Sequence, residues 1–237
     1  MGHGLLLSGG NVDFMIHGVF SYQLFGQTFW ITTSHVCILI VVLAIMAFCL
    51  AANRAIKHAN EIPGTFQNIV ELIVEKLDGM VEAVMGKNAA GFANYIGTIF
   101  IFILISNISG LFGLRPPTAD YGVTFPLGVM SFCIIHFNKF KHQKVSGVIK
   151  GLCSPWPFWA PINMIGDFAV PVSLSLRLFA NILSGTVMMA LIYGLLSQIA
   201  YFWPAVLHVY FDLFSGAIQT YVFCMLSMTY INDAIEG

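Results

Sequence analysis

Residues 163–197 read NMIGDFAVPVSLSLRLFANILSGTVMMALIYGLLS, and this stretch decides the fold. Its only charges are Asp167 and Arg177. A helix of about 20 apolar residues crosses a bilayer, so this run is longer than a perpendicular crossing needs. Strong tilt, or a path partly along the membrane, is the natural resolution. A short uncharged turn near Tyr201-Phe202-Trp203 leads into a second long apolar segment, 204–233. Helices joined so tightly pack antiparallel. Residues 163–233 therefore read as a tilted helical hairpin.

The composition agrees. Of 237 residues, 58% are hydrophobic and 9% charged, against about 25% charged in soluble domains. Ten basic and eleven acidic side chains cannot dress a water-facing surface of this size. That excludes a water-soluble enzyme, a nucleic-acid binder and a disordered chain. A net charge of −1 points to no electrostatic partner. Cys37, Cys49, Cys133, Cys153 and Cys224 lack paired spacing and read as small apolar residues. No disulfide framework, metal site or cofactor is expected. The N-terminus has no basic run before a long apolar one, so a cleaved signal peptide is not expected.

Upstream of the hairpin the chain divides by charge. Residues 1–30 form an N-terminal segment with Phe20, Tyr22, Phe25, Phe29 and Trp30, where an aromatic belt is expected. A span follows at 31–52. In 65–86 Phe66, Ile69, Val70, Ile73, Leu77, Val81 and Val84 recur at helical spacing, interrupted by Glu71, Glu75, Lys76, Asp78 and Glu82. Such a helix is too charged to span and is expected to lie in the membrane plane. Residues 92–114 and 122–137 make a hairpin through Arg115-Pro116-Pro117-Thr118-Ala119-Asp120, and the segment after it carries Lys139, Lys141, Lys144 and Lys150. The expected fold is an all-α polytopic single membrane domain, with about five membrane helices and one in-plane amphipathic helix. Arg54, Lys57 and the four lysines place their loops in the cytoplasm by the positive-inside rule. The 115–120 loop and the N-terminus are then outside and the C-terminus cytoplasmic.

Ionisable groups at membrane depth are costly and point to function. Arg177 costs most: roughly 2.5 to 3.5 kcal/mol at a bilayer centre on insertion scales, with a guanidinium that stays charged. Asn163, Asp167, Ser173, Arg177, Asn181 and Ser184 form one polar stripe, interrupted near Pro171, which can kink the helix. His208, Asp212, Ser215 and Gln219 follow at i, i+4, i+7 and i+11. Two readings stand for each stripe. Arg177 either pairs with an acid of its own chain or gates an ion path. The second stripe is either interhelical glue or a ladder of protonatable groups, and glue accounts poorly for Asp212. His35 and His136 read as solitary, satisfied histidines, and Asn107 with Ser106 and Ser109 as helix packing.

Pro171-Val172-Ser173-Leu174-Ser175-Leu176-Arg177-Leu178-Phe179-Ala180-Asn181 closely resembles the signature of the bacterial subunit a family of F-type ATP synthases. Pro117-Thr118-Ala119-Asp120 with Val123-Thr124, and Gln219, are similar to that family's pattern, as is the order of elements. The resemblance implies a stator ion-channel subunit in the bacterial inner membrane, not catalytic by itself. It would provide two offset half-channels to the carboxylates of a rotating c-ring, with peripheral-stalk b subunits as further partners. Arg177 matches the family's essential arginine, the electrostatic gate. Asn181 and Gln219 match polar positions beside it, Asp212 a position that varies between histidine and acid, and Asp167 an acid of the cytoplasmic exit. Ser173, Ser184 and His208 complete the implied ion path. Where many members carry glutamate this chain has Thr186, so the outer titratable load would rest on Asp212 with His208. Proton and sodium both stay open as the ion. The alternative is an independent secondary transporter or channel, which usually shows an inverted repeat; none is evident here.

Overall fold

The computed structural model describes residues 18–24, 27–57, 64–112, 114–152, 156–195 and 203–236. Its helices are α1 (Thr33–Lys57), α2 (Thr65–Met85), α3 (Ala89–Ile108), α4 (Tyr121–Leu152), α5 (Ala160–Leu195), α6 (Trp203–His208) and α7 (Gly216–Glu236). A π-helical segment, Val209–Ser215, joins α6 to α7. Among the described residues, five segments are long and apolar enough to cross a membrane: Thr33–Lys57, Thr65–Phe112, Tyr121–Gln143, Ala160–Met189 and Val206–Glu236. The chain is an all-α polytopic membrane protein, with one addition that the sequence reading did not anticipate. Strands β1 (Gly18–Leu24) and β2 (Gln27–Thr32) pair antiparallel, Tyr22 opposite Phe29, ahead of α1. Aromatic and β-branched residues favour strands, so the belt residues Phe20, Tyr22 and Phe29 also build a hairpin. Trp30 is exposed beside α1, while Phe25 lies outside the described residues.

Helix ends follow local chemistry. Arg54 and Lys57 occupy the last turn of α1, where cations suit the helix dipole. Gly86 takes φ +49° between α2 and α3, a left-handed backbone that glycine adopts without strain. The Asp120 carboxylate accepts the Gly122 N–H at 2.9 Å and so caps α4. α4 runs on to Leu152, past residue 137 where the sequence suggests the span ends. Lysine is a good helix former, so residues 138–150 lengthen the helix instead of forming a loop. α5 holds 36 residues, roughly 54 Å at 1.5 Å per residue, and continues through Pro171 as one helix.

α7 sits at the centre. Phe223, Cys224, Met228 and Ile231 pack against Val81 and Met85 of α2, Ile96 and Ile103 of α3, and Leu174 and Leu178 of α5, all buried. Lipid tails are as apolar as these side chains, so association rests on close packing rather than on water exclusion. Two glycines permit it. A Cβ on Gly128 of α4 would stand 2.6 Å from the Pro171 carbonyl oxygen of α5. A Cβ on Gly216 of α7 would stand 2.9 Å from Asn107 Cβ of α3.

Candidate functional site

The site is built along α5 and the chain antiparallel to it. Ser215 Oγ donates to Asn181 Oδ1 at 3.1 Å, and Gly185 packs on Phe211. One more turn of this register brings Gln219 level with Arg177 and Asp212 level with Ser184. Asp212 then stands seven residues from Arg177 along the axis, about 10 Å at 1.5 Å per residue. Asp167 lies ten residues the other way, about 15 Å. The two acids flank the arginine at opposite ends.

Arg177 is exposed on α5, on a face it shares with Ser173, Leu176, Ala180, Leu183 and Ser184. It forms no ion pair or hydrogen bond among the described residues. Leu174, Leu178 and Ile182 occupy the opposite, buried face, and their packing turns the guanidinium outward. Two amide nitrogens beside it, Asn181 Nδ2 and Gln219 Nε2, are buried without a partner. An unsatisfied buried polar group costs about 1 to 3 kcal/mol. A permanent, exposed cation and two unpartnered buried donors thus lie close to one depth.

At one end Asp212 occupies the π-helical segment, a distortion found often at functional sites. His208 Nδ1 stands 2.9 Å from its Oδ2 and donates to it. The carboxylate packs on the Gly110 backbone, where a Cβ would stand 3.3 Å from Asp212 Cγ. Just beneath lies a buried polar network. Asn107 Nδ2 donates to Gly216 O at 3.0 Å and to Thr220 Oγ1 at 3.3 Å, while Thr118 Oγ1 donates to Asn107 Oδ1 at 2.7 Å. Asn107 thus ties Thr118 to α7 one to two turns along from Asp212, toward the level of Arg177. Ser109 Oγ bonds only its neighbouring Ser106 carbonyl. Thr186 Oγ1 donates to the Leu183 carbonyl of its own helix at 2.8 Å.

At the other end Asp167 faces a cavity of about 160 Å³ between α4, α5 and α7. Lys139 Nζ bonds its Oδ2 at 3.0 Å, and His136 Nε2 approaches the same oxygen to 3.8 Å. Tyr230, Asp233 and Gln143 line the rest of the polar wall. Ser173 is exposed, part-way between Asp167 and Arg177.

The ATP synthase A chain family matches residues 35–232. The chain belongs to that family. It is 36% identical to the sodium ion specific ATP synthase subunit a of Propionigenium modestum, over 81% of this chain and 71% of that one. It is 30% identical to ATP synthase subunit a of Bacillus subtilis, over 94% of this chain and 99% of the relative. It is 31% identical to the Limosilactobacillus fermentum subunit a, over 92% and 98%. As an ATP synthase A chain it is a multi-pass membrane protein, the ion-channel subunit of an F-type ATP synthase stator, working within a complex that contains a c-ring.

Sequence reasoning about this A chain missed one contact and anticipated another. His136, read as solitary, lies beside Asp167, whereas Asn107, read as packing, does join its helix to α7 and to Thr118. Both gain their partners from tertiary packing. The available signal was a histidine and an amide inside apolar helices, where each polar group needs a partner.

Proposed function

We propose that the face of α5 around Arg177 is the surface that meets the c-ring, and that two offset half-channels end there. Ions enter from outside past His208, Asp212 and Ser184 and reach Asn181 and Gln219. They neutralise a ring carboxylate, which then rotates through lipid. After a turn the ion leaves past Ser173 and Asp167 to the cytoplasm. The lysines of α4 with Arg54 and Lys57 support this orientation, with the N-terminus outside, the C-terminus cytoplasmic and α2 lying in the plane of a bacterial inner membrane. Peripheral-stalk b subunits are the remaining partners.

One observation carries the reading. Arg177 is outward-facing and unpaired among the described residues, between acids at opposite depths. A guanidinium lowers a nearby carboxyl pKa by roughly 1 to 3. A passing ring carboxyl therefore gives up its proton at Arg177, and the same charge repels protons from a direct path. Without that block, about 2.3 kcal/mol per charge at 100 mV would dissipate. Arg177→Ala in the purified, assembled complex is expected to abolish ATP-driven pumping. Coupled pumping by that assembled variant overturns the reading. The sodium-specific relative supports a second ion; uptake of sodium instead of protons by the same vesicles would select it.

A further inference from the structure

We propose that His136 is a proton-relay residue of the exit half-channel, exchanging one proton at a time between Nε2 and the water beside Asp167. This rests on the reading of Asp167 as the exit acid and adds a group to that path. His136 Nδ1 lies 3.2 Å from the Phe132 carbonyl oxygen. A carbonyl only accepts, so in the neutral ring Nδ1 carries the hydrogen and Nε2 is left as a bare acceptor. The imidazole lies against the Phe132 ring, centroids 3.9 Å apart and planes tilted by 41°, so its orientation is held from two sides. Held this way, Nε2 points at Asp167 Oδ2 across 3.8 Å. That gap exceeds a hydrogen bond, so Nε2 exchanges its proton with water in the cavity and not directly with the carboxylate. The cavity lining is mainly apolar, but Asp167, Lys139, Tyr230 and Asp233 bring polar atoms to it, and it is large enough for water.

The charges around the ring are arranged for turnover. On its own helix Lys139 donates to Asp167 Oδ2 at 3.0 Å. From α5 comes Asp167, and from α7 come Asp233 and Tyr230. The ammonium occupies the carboxylate oxygen nearest the ring, so Asp167 stabilises an imidazolium without itself retaining the proton. The cycle balances. A hydronium arriving from the rotor side protonates Nε2 and becomes water. The imidazolium then gives that proton to a water at the Asp233 side and returns to the Nδ1–H tautomer. No other bond forms or breaks. An ordinary structural histidine would explain the Nδ1 bond to the preceding turn, but not an Nε2 facing a carboxylate beside a cavity that Lys139, Tyr230 and Asp233 also line.

The test uses the whole ATP synthase in vesicles with its cytoplasmic side accessible. His136→Ala and His136→Gln are compared with the parent for ATP-driven acidification at low buffer concentration. Gln keeps a polar side chain of similar reach without a titratable nitrogen, and decides the matter if the Ala variant does not assemble. Both are expected to pump roughly tenfold more slowly, less than the ~100-fold or more of a proton-transfer group that no water can replace. Their solvent deuterium isotope effect should rise as proton transfer becomes limiting. Added imidazole should restore most of the Ala variant's rate. Unchanged rates and isotope effects in assembled variants sink the proposal, as does sodium uptake in place of acidification. If Arg177→Ala is inactive while both His136 variants pump normally, the relay alone fails. If Arg177→Ala pumps, the underlying reading fails instead.

Discussion

The two acids that flank Arg177 are held by different means. Asp212 sits in a knitted region. His208 bonds it from one turn away, Gly110 packs on it, and beneath it Asn107, Thr118 and Thr220 are between 0% and 1% exposed. Asp167 is 34% exposed in an open cavity and is tied to its neighbours by one ion pair. The knitted end closes its buried polar network within the chain, while the open end leaves its groups to water. Asp212 is thus held from several sides and Asp167 from fewer. Between them stands a cation that no described residue of the chain pairs with.

Gly128 is the fulcrum of this arrangement and the place to break it most severely. α4 brings Lys139 and His136 to Asp167 only because Gly128 lets it touch the Pro171 carbonyl. Gly128→Ala places a carbon against backbone that cannot yield, at an expected cost of about 3 kcal/mol, the upper end of overpacking. The measurement is the midpoint of thermal dissociation of the purified complex. Gly166→Ala on α5, which meets open space, is the control and should leave the midpoint unchanged. Equal midpoints for the two variants would show that the α4–α5 contact is not tight.

Asn107→Ala tests the knitted end. It strips Thr118 Oγ1 and the Gly216 carbonyl of a partner in a site closed to water. Leaving buried polar groups unmatched costs about 1 to 3 kcal/mol, so a loss near 2 kcal/mol is expected in the same assay. Asn107→Asp retains the acceptor for Thr118 but loses the donor to Gly216, and should also destabilise. A neutral Asn107→Ala would remove the contrast between the two ends.

The elements were legible where a costly residue or an abrupt change of composition marked them. α2 occupies Thr65–Met85 against the expected 65–86, because Gly86, with φ +49°, ends it. Arg177 was legible because a guanidinium at membrane depth needs a reason. The end of α4 was not, since lysines signal a membrane boundary without ending a helix. The π-helical segment at Asp212 has no pattern of its own, and the aromatic stretch that forms β1 and β2 satisfies a belt equally well. His136 with Asp167, Asn107 with Thr220, and Arg177 level with Gln219 all depend on how helices far apart in the chain settle against each other. Periodicity within one helix names the face but not the neighbour.

The smallest effect is expected at Lys139, and it sharpens the comparison most. The Lys139–Asp167 pair looks strong by distance, 3.0 Å, yet its side chains are 22% and 34% exposed. Exposed ion pairs contribute about 0 to 1 kcal/mol, because water and salt compete for both charges. Lys139→Met keeps the aliphatic stem that packs along α4 and removes only the charge. The thermal midpoint of the complex should therefore move far less than in Asn107→Ala, with the difference between variant and parent shrinking further as salt is raised. A loss as large as that of Asn107→Ala would mean that Asp167 is desolvated in the complex by a surface of another subunit. The open end would then be closed by a partner, and the cavity beside His136 would be part of an interface.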